Sequence, residues 1–174
     1  MTANTALASR ARRQGGFTLV ELITVILILG VLAAVALPRY ADLQGQARAA
    51  KVKGVLGSIK SASSMVKATA LANGKTCGTA SDTTGVTLEG TAIALNYCYA
   101  QALSSFTAGI LAAANVSASD SWVVDTTNAG GATGGSVLQI NLSDAATPAT
   151  CSVSYTSSTS ATTPPTITAN VTGC

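Results

Sequence analysis

The sequence predicts an α+β protein, in which one long N-terminal helix is followed by a head of antiparallel strands. Two observations support this class. Residues 17–37 form an apolar run with a single charge, whereas the chain after residue 75 is rich in Thr, Ser and Gly with scattered β-branched residues. A helical segment that precedes a series of strands is typical of α+β proteins. With 174 residues, the chain has room for one modest domain beside the helix.

Residues 1–16 form a short polar arm that carries Arg10, Arg12 and Arg13 and ends in two glycines. An ordinary secretory signal places an apolar stretch before its cleavage site, and this arm contains none. We therefore expect a basic leader at 1–16 and an apolar helix that is retained after processing. The alternative is a disposable signal sequence, because residues 34–36, Ala-Val-Ala, also fit a small-residue cleavage site.

The apolar segment at residues 17–37 is long enough to cross a membrane. As a helix it measures roughly 31 Å at ~1.5 Å rise per residue, close to the thickness of a bilayer's hydrocarbon core. Its one charge, Glu21, lies a helical turn inside the run, where a carboxylate is retained as a rule only if it has a partner. Gly30 and Ala34 form a small-x-x-x-small pair that lets another helix approach closely. Pro38 lacks a backbone donor, so we expect it to kink or locally loosen the helix.

This arrangement resembles the type IV prepilin signature, with a basic arm, Gly16, Phe17, then T-L-V-E-L and a long apolar run. The resemblance implies that a membrane prepilin peptidase cuts between Gly16 and Phe17 and methylates the new amine. It implies that Glu21 accepts this amine from a neighbouring subunit, and that Gly30 and Pro38 bracket a segment that loosens as subunits pack. The subunit would cross the bacterial inner membrane once before assembly and would be extracellular in the pilus afterwards.

Residues 38–75 are predicted to continue the helix as an amphipathic stem. Apolar residues recur at spacings of three and four and form one stripe for packing against a sheet. They are Leu43, Val52, Val55, Leu56, Ile59, Ala62 and Val66. The segment at residues 43–48, L-Q-G-Q-A-R, resembles the stem of the mannose-sensitive haemagglutinin (MSHA) class of type IV pilins. Asn73 and Gly74 predict the end of the helix.

The head, residues 76–174, is predicted to consist mainly of short antiparallel strands. The candidate strands are residues 86–88, 92–97, 122–125, 137–142, 151–155 and 166–171. Ser104 or Ser105 is expected to cap a short helix that ends near Ala114. The four glycines within residues 128–135 indicate a turn or an exposed excursion.

Positive charges lie on both sides of the apolar run, so they do not decide the orientation of this segment in a membrane. The four cysteines all follow the run and favour an oxidising compartment for the C-terminal part.

The four cysteines, Cys77, Cys98, Cys151 and Cys174, allow three disulfide pairings, and sequence alone does not choose among them. We expect nearest neighbours to pair, Cys77 with Cys98 and Cys151 with Cys174. The second loop resembles the terminal disulfide loop that borders the exposed face of type IV pilin heads.

Charge divides the chain into a basic and an acidic part. All ten basic residues lie at or before Lys75, and five of the seven acidic residues follow it. Either opposite charges on neighbouring subunits favour axial stacking, or the basic residues simply solvate the helix.

The chain has no histidine, which excludes the usual Ser-His and Cys-His nucleophile pairs and most zinc sites. We therefore expect no enzymatic activity, no cofactor and no metal site.

Together these features predict a structural subunit that polymerises with copies of itself into a surface filament for adhesion, with motility or DNA uptake as other uses. The resemblance implies an inner-membrane assembly platform and its ATPase machinery as partners, and host or surface glycans as targets. A type II secretion pseudopilin and a minor pilin are the alternatives. A membrane-anchored or secreted binding domain is a more remote one.

Overall fold

A long helix leads into a β-rich head in the computed structural model, which describes residues 16–174. The first helix, α1, spans Leu19–Ala72. The described residues divide into two compact units, 16–41 and Asp42–Cys174, and α1 contributes to both. Seven antiparallel strands in two sheets are the main regular structure described after α1, so the α+β class is confirmed.

The end of α1 is confirmed at the predicted Asn73-Gly74 stop. Gly74 adopts a φ of +68°, a left-handed conformation that glycine takes at little cost. Its N–H donates to Leu71 O at 3.0 Å, and the N–H of Lys75 donates to Ala70 O at 3.0 Å. These two bonds form a Schellman motif, which satisfies carbonyl groups that the helix end leaves unpaired.

Pro38 does not break the helix, because α1 continues on both sides of it. Proline lacks an N–H, so the carbonyl group four residues earlier loses its usual helical donor. The loosening expected at Pro38 stays a prediction.

The first sheet contains three antiparallel strands in the order β1-β2-β3. They are β1 (Asp82–Leu88), β2 (Thr91–Asn96) and β3 (Tyr99–Ala100). Two-residue turns join them, with positive φ at Glu89 and Gly90 in the first turn and at Tyr97 and Cys98 in the second. Positive φ at both central residues is typical of the type I′ turn, which matches the twist of the strands. The sequence did not predict β3, because two residues are too few to show alternation.

The predicted start of the short helix, at Ser104 or Ser105, is wrong. The observed helix, α2, spans only Gly109–Ala113, and the residue before it, Ala108, makes no side-chain capping bond. The Ser105 hydroxyl instead accepts a hydrogen bond from the Thr107 N–H at 3.1 Å, within a local turn. Serine favours such turns as well as helix caps, so the residue type alone did not distinguish the two.

The second sheet contains four antiparallel strands in the order β4-β5-β6-β7. They are β4 (Trp122–Ala129), β5 (Val137–Leu142), β6 (Ser152–Thr156) and β7 (Thr166–Asn170). β4 is longer than predicted because its register shifts between Val124 and Ala129. Asp125 holds this bulge, since its Oδ1 accepts from the N–H groups of Thr127 at 2.9 Å and Asn128 at 3.0 Å.

The core of the second unit contains side chains from α1 and from both sheets. The predicted apolar stripe of α1 supplies Val52, Ile59, Ala62 and Val66 as buried residues and Val55 and Leu56 as half-buried ones. Leu43 was wrongly included, because it is 60% exposed. Nine residues separate Leu43 from Val52, which is about two and a half turns at ~3.6 residues per turn, so the two lie on opposite faces.

Two contacts join the sheets. The Tyr155 hydroxyl of β6 donates to Ala100 O of β3 at 2.7 Å, and burial raises the pKa of this phenol. Gly130 has a φ of +77°, and a Cβ there would overlap the carbonyl oxygen of Ala102. The N–H of Gly131 donates to that same oxygen at 2.7 Å. The glycine-rich segment is therefore a turn held against the chain that follows β3.

Two disulfides close loops in the head. The structure joins Cys77 to Cys98 and Cys151 to Cys174, the pairs expected from the sequence. Sequence separations of 21 and 23 correspond to about 3.4 kcal/mol each from loop closure in the unfolded chain. Arg48 of the stem donates to Cys174 O at 3.4 Å, so the second loop also contacts α1.

Candidate functional site

The start of α1 carries the residues that the sequence singles out for processing. Gly16, Phe17 and Thr18 are exposed and precede the first helical residue. Thr18 is the N-cap, because its carbonyl oxygen accepts the Leu22 N–H at 3.3 Å. The bond between Gly16 and Phe17 therefore lies in exposed, non-helical chain. Such segments are the ones that proteases cut most readily, because no helix has to unfold first.

Thr18 and Glu21 form a reciprocal capping box. The Thr18 hydroxyl accepts from the Glu21 N–H at 3.2 Å, while the Thr18 N–H donates to Glu21 Oε2 at 2.9 Å. The Thr18 hydroxyl also donates to Oε2 at 2.7 Å. The T-x-x-E spacing allows this geometry because the side chain at the third helical position reaches back to the cap. Two backbone donors that a helix start leaves unpaired are thereby satisfied.

The Glu21 carboxylate remains the single charge of the apolar run, but Thr18 gives it a local hydrogen-bond partner. Its Oε2 has two donors from Thr18, whereas its Oε1 has no hydrogen-bond partner among residues 16–174. One oxygen holds the side chain in place, and the other can accept a donor from outside the chain. The positive end of the helix dipole also favours an anion at this position. The arrangement is therefore suited to receiving an external cation.

Neither Gly16 nor Gly30 is required by the packing of the described residues. A Cβ at either position would meet no atom within 4 Å, and neither residue has a positive φ. Glycine inside a helix costs about 0.5–1 kcal/mol relative to alanine, and nothing in the described chain compensates for that cost at Gly30. A requirement for glycine at these positions would have to come from outside the chain, from an enzyme at Gly16 and from a neighbouring helix at Gly30.

The apolar part of α1 is exposed on all sides. Its large side chains range from 43% exposed at Ile23 to 72% exposed at Leu19. A helix that is apolar all round is typically buried in a membrane or in a larger assembly. Within the part of the chain that the structure describes, α1 is the one helix long and apolar enough to cross a membrane.

Four stem cations contact the head of their own chain, which neither of the two charge hypotheses anticipated. Arg48, Lys51 and Lys67 donate to the carbonyl oxygens of Cys174, Asp120 and Tyr97. Lys75 forms an ion pair with Asp82 at 3.1 Å. Hydrogen bonds from the Thr84 hydroxyl, first, and from Lys75 lower the pKa of Asp82 to about 2. Lys53 and Lys60 are exposed, and their ammonium groups make no hydrogen bond or ion pair to another described residue.

Comparison with known families identifies the N-terminal region. Residues 11–37 match the family model described as the prokaryotic N-terminal methylation motif. The matched range contains Gly16, Phe17, Thr18, Glu21 and Gly30. The capping box and the exposed bond before it therefore lie within the motif.

The chain is also similar to curated pilus and secretion proteins. It is 48% identical over 50 residues to the Type IV narrow pilus major component PilA5 of Thermus thermophilus, a match that covers 29% of this chain and 43% of that protein. It is 49% identical over 49 residues to the Type IV major alpha-pilin of Moraxella bovis, covering 28% and 31% respectively. It is 41% identical over 56 residues to the Type II secretion system core protein G of Pseudomonas aeruginosa, covering 32% and 39%.

The chain thus matches less than half the length of each of these relatives. No solved structure matches the chain significantly.

Proposed function

We propose that this chain is a structural subunit of a type IV pilus and polymerises with copies of itself through its N-terminal helix. The observation that carries the proposal is the Thr18–Glu21 capping box, which directly follows an exposed Gly16-Phe17 bond and opens an apolar helix. The methylation motif at residues 11–37 and the pilin relatives support it. In this role the chain performs no catalysis and needs no cofactor or metal.

Processing is the first step of this proposal. A prepilin peptidase hydrolyses the bond after Gly16, removes residues 1–16 and methylates the amine of Phe17. The exposed, non-helical chain at this bond gives the enzyme access without unfolding α1. A Cβ at Gly16 would meet no atom of the described residues within 4 Å, which supports the idea that the enzyme, rather than the fold, selects glycine there.

Assembly follows from the two charges that processing leaves close together. The Phe17 amine is cationic near neutral pH, and Glu21 Oε1 is an acceptor with no partner among the described residues. Both groups are unfavourable in hydrocarbon unless they are paired. The amine of one subunit and the carboxylate of its neighbour meet only when the two helices are in one register. A head-to-tail contact that does not close on itself produces an open helical filament.

The remaining parts of the chain take distinct roles in this proposal. Residues 17–37 are the membrane-spanning and assembly helix, in which Gly30 and Pro38 adapt the helix to its neighbours. Residues 38–75 form the stem, and residues 76–174 form the disulfide-bonded head. Before assembly the subunit crosses the bacterial inner membrane once, where the assembly platform and its ATPase machinery act on it. In the extracellular pilus, the heads form the surface.

Adhesion to host or surface glycans is the proposed use of the filament, with motility and DNA uptake as other uses. The resemblance of residues 43–48 to the stem of MSHA-class pilins supports adhesion. In the structure, this segment contacts the terminal disulfide loop, because Arg48 donates to Cys174 O and Gly45 lies beside the same residue.

The first test is the intact mass and N-terminal residue of protein recovered from cells, measured with and without a reducing agent. We expect a chain that begins at N-methylated Phe17 and gains four hydrogens when its two disulfides are reduced. A chain that begins at Leu37 would identify the apolar segment as a disposable signal and would contradict the proposal.

The second test is the yield of sheared filaments from a Glu21→Ala variant. This variant should remain in the membrane at the normal level and assemble few or no filaments, because it lacks the acceptor for the neighbouring amine. Asp42→Ala is the matched control, since Asp42 is another exposed acidic residue of α1 and should be dispensable. A normal filament yield from Glu21→Ala would refute the proposed role of this carboxylate.

A type II secretion pseudopilin is the second candidate, favoured by the similarity to the core protein G of Pseudomonas aeruginosa. A strain that lacks this chain separates the two functions. Loss of surface pili with normal protein secretion supports the pilus subunit, and the reverse supports the pseudopilin. The abundance of the chain in sheared fibres then distinguishes a major from a minor pilin.

A further inference from the structure

Lys67 places a positive charge beside one sulfur of the first disulfide. Its Nζ lies 3.6 Å from Cys77 Sγ, and it also donates to Tyr97 O at 3.3 Å and lies 4.5 Å from the centre of the Tyr99 ring. Tyr97 and Tyr99 flank Cys98 in the β2–β3 hairpin. The position of the ammonium group is therefore fixed by contacts other than the one with the disulfide.

The two sulfurs of this disulfide have different surroundings. Cys98 is buried, whereas Cys77 is half-buried and is the more exposed residue of the pair. Lys75 O is 3.9 Å from Cys77 Sγ and 3.8 Å from Cys98 Sγ, so this carbonyl does not distinguish them. Of the two sulfurs, only Cys77 Sγ lies within hydrogen-bonding distance of Lys67 Nζ.

The backbone around Cys77 keeps this arrangement in place without the disulfide. Cys77 follows the Schellman motif at Gly74 by only three residues, and Lys67 belongs to the same helix that the motif ends. The Tyr97 N–H donates to Thr79 O at 2.9 Å, which ties the hairpin turn to the chain just after Cys77. In the reduced protein, Cys77 should therefore still lie beside Lys67.

We propose that Cys77 is the site at which an external disulfide donor first oxidises the head, and that Lys67 activates it. An adjacent ammonium group favours the thiolate, which is the nucleophile in thiol–disulfide exchange. The Cys77 thiolate attacks one sulfur of a donor such as glutathione disulfide, the donor's S–S bond breaks, and one glutathione thiolate leaves. Cys98 then loses its proton, attacks Cys77 Sγ and expels the second glutathione thiolate.

The two exchange steps balance in electrons and protons. The two protein thiols lose two electrons and two protons and form one disulfide, while glutathione disulfide gains them and becomes two molecules of glutathione. The expected acceleration is modest. An ammonium group that raises the thiolate population about tenfold also lowers the nucleophilicity of each thiolate about threefold, so the net gain in rate is about threefold.

The second disulfide provides an internal reference. Cys151 is fully buried, and within the described residues no cation lies within hydrogen-bonding distance of the sulfur of Cys151 or Cys174. Arg48 reaches the carbonyl oxygen of Cys174 and not its sulfur. This pair should therefore close after Cys77–Cys98 and should be insensitive to Lys67.

The test uses the full chain in detergent micelles, reduced and then exposed to glutathione disulfide. Aliquots are quenched with acid, free thiols are alkylated, and peptides are quantified by mass spectrometry. In the wild-type chain, the first glutathione adduct should be on Cys77, and Cys77–Cys98 should close first. Lys67→Gln should slow that closure about threefold, and Lys67→Arg should restore it. Lys60→Gln, an exposed lysine on the same helix, should have no effect.

Three results would overturn the proposal. The first is an adduct that forms initially on Cys98, Cys151 or Cys174, a measurement on the wild-type chain that does not depend on whether any variant folds. The second is an unchanged closure rate in Lys67→Gln. The third is an equal slowing of both disulfides in that variant, because this would reflect a general change in folding rather than activation of Cys77.

Discussion

The Tyr155→Phe variant tests how the two sheets of the head are joined. The Tyr155 hydroxyl donates to Ala100 O at 2.7 Å, and both residues are essentially inaccessible to solvent. Ala100 of β3 lies opposite Leu95 of β2. The next two residues along, Gln101 and Ala94, are hydrogen-bonded, because the Gln101 N–H donates to Ala94 O at 2.9 Å. In an antiparallel pair the hydrogen-bonded positions alternate, so the carbonyl group of Ala100 points away from β2 and towards Tyr155.

The magnitude follows from what the substitution leaves behind. Phenylalanine keeps the ring, so no sizeable cavity forms, but the buried carbonyl of Ala100 loses its donor. A buried acceptor left unsatisfied costs about 1–3 kcal/mol. With a urea dependence of about 2 kcal/mol per molar, a loss of about 2 kcal/mol lowers the unfolding midpoint by about 1 M.

Urea unfolding of the full chain in detergent, followed by the fluorescence of Trp122, measures this shift. Trp122 is the single tryptophan and is buried in the head. Tyr99→Phe is the matched control, because it removes the same atom from a half-exposed tyrosine whose hydroxyl makes no hydrogen bond among the described residues. A midpoint for Tyr155→Phe equal to that of the control would refute the reasoning.

Three further predictions concern the helix start, an acidic side chain and a glycine. Thr18→Val removes the capping hydroxyl but keeps the side-chain shape, so the sheared-filament yield should fall, whereas Thr18→Ser should preserve it; equal yields would argue against the capping box. The Thr84 hydroxyl and then Lys75 hold the pKa of Asp82 at about 2, below the value of 3.8 expected in the unfolded chain. The Asp82 charge therefore stabilises the fold above about pH 4, and this contribution to the free energy of unfolding is lost as the pH falls from about 4 to about 2. The urea midpoint of Asp82→Asn should fall less over this pH range than that of the wild-type chain. Identical pH profiles for the two chains would contradict the assignment. Gly130 has a positive φ, and Gly130→Ala would place a Cβ on the carbonyl oxygen of Ala102. Thermal unfolding should therefore show that the free energy of unfolding falls by about 2 kcal/mol or more. An unchanged melting temperature would show that the turn adapts.

The capping box changes how the Glu21 charge is understood. The sequence suggested a carboxylate without a local partner, yet Thr18 supplies two donors to one of its oxygens. The T-x-x-E spacing is a recognised helix-start pattern, so this local bond was readable from the sequence. Its consequence is that only Oε1 is left to accept a donor from outside the chain.

The contacts of the stem cations could not be predicted from the distribution of charges along the sequence. The division of the chain into a basic stem and an acidic head is a property of the sequence, but it does not reveal which charges are already engaged. Arg48, Lys51 and Lys67 reach carbonyl oxygens of head loops rather than acidic side chains. Backbone oxygens leave no trace in charge patterns, so these contacts could not be predicted.

The sequence by itself determined the long helix, its end just before Asn73-Gly74, the approximate positions of the six main strands and the candidate site at the helix start. These features depend on residues within a few positions of one another, through periodicity, capping and turn chemistry. Only the tertiary structure decided that Leu43 lies outside the core, that Tyr155 joins the sheets and that Lys67 lies beside Cys77. Such contacts depend on how separate elements pack; Arg48 and Cys174, for example, meet across 126 positions. A pattern read along the chain carries no record of that approach.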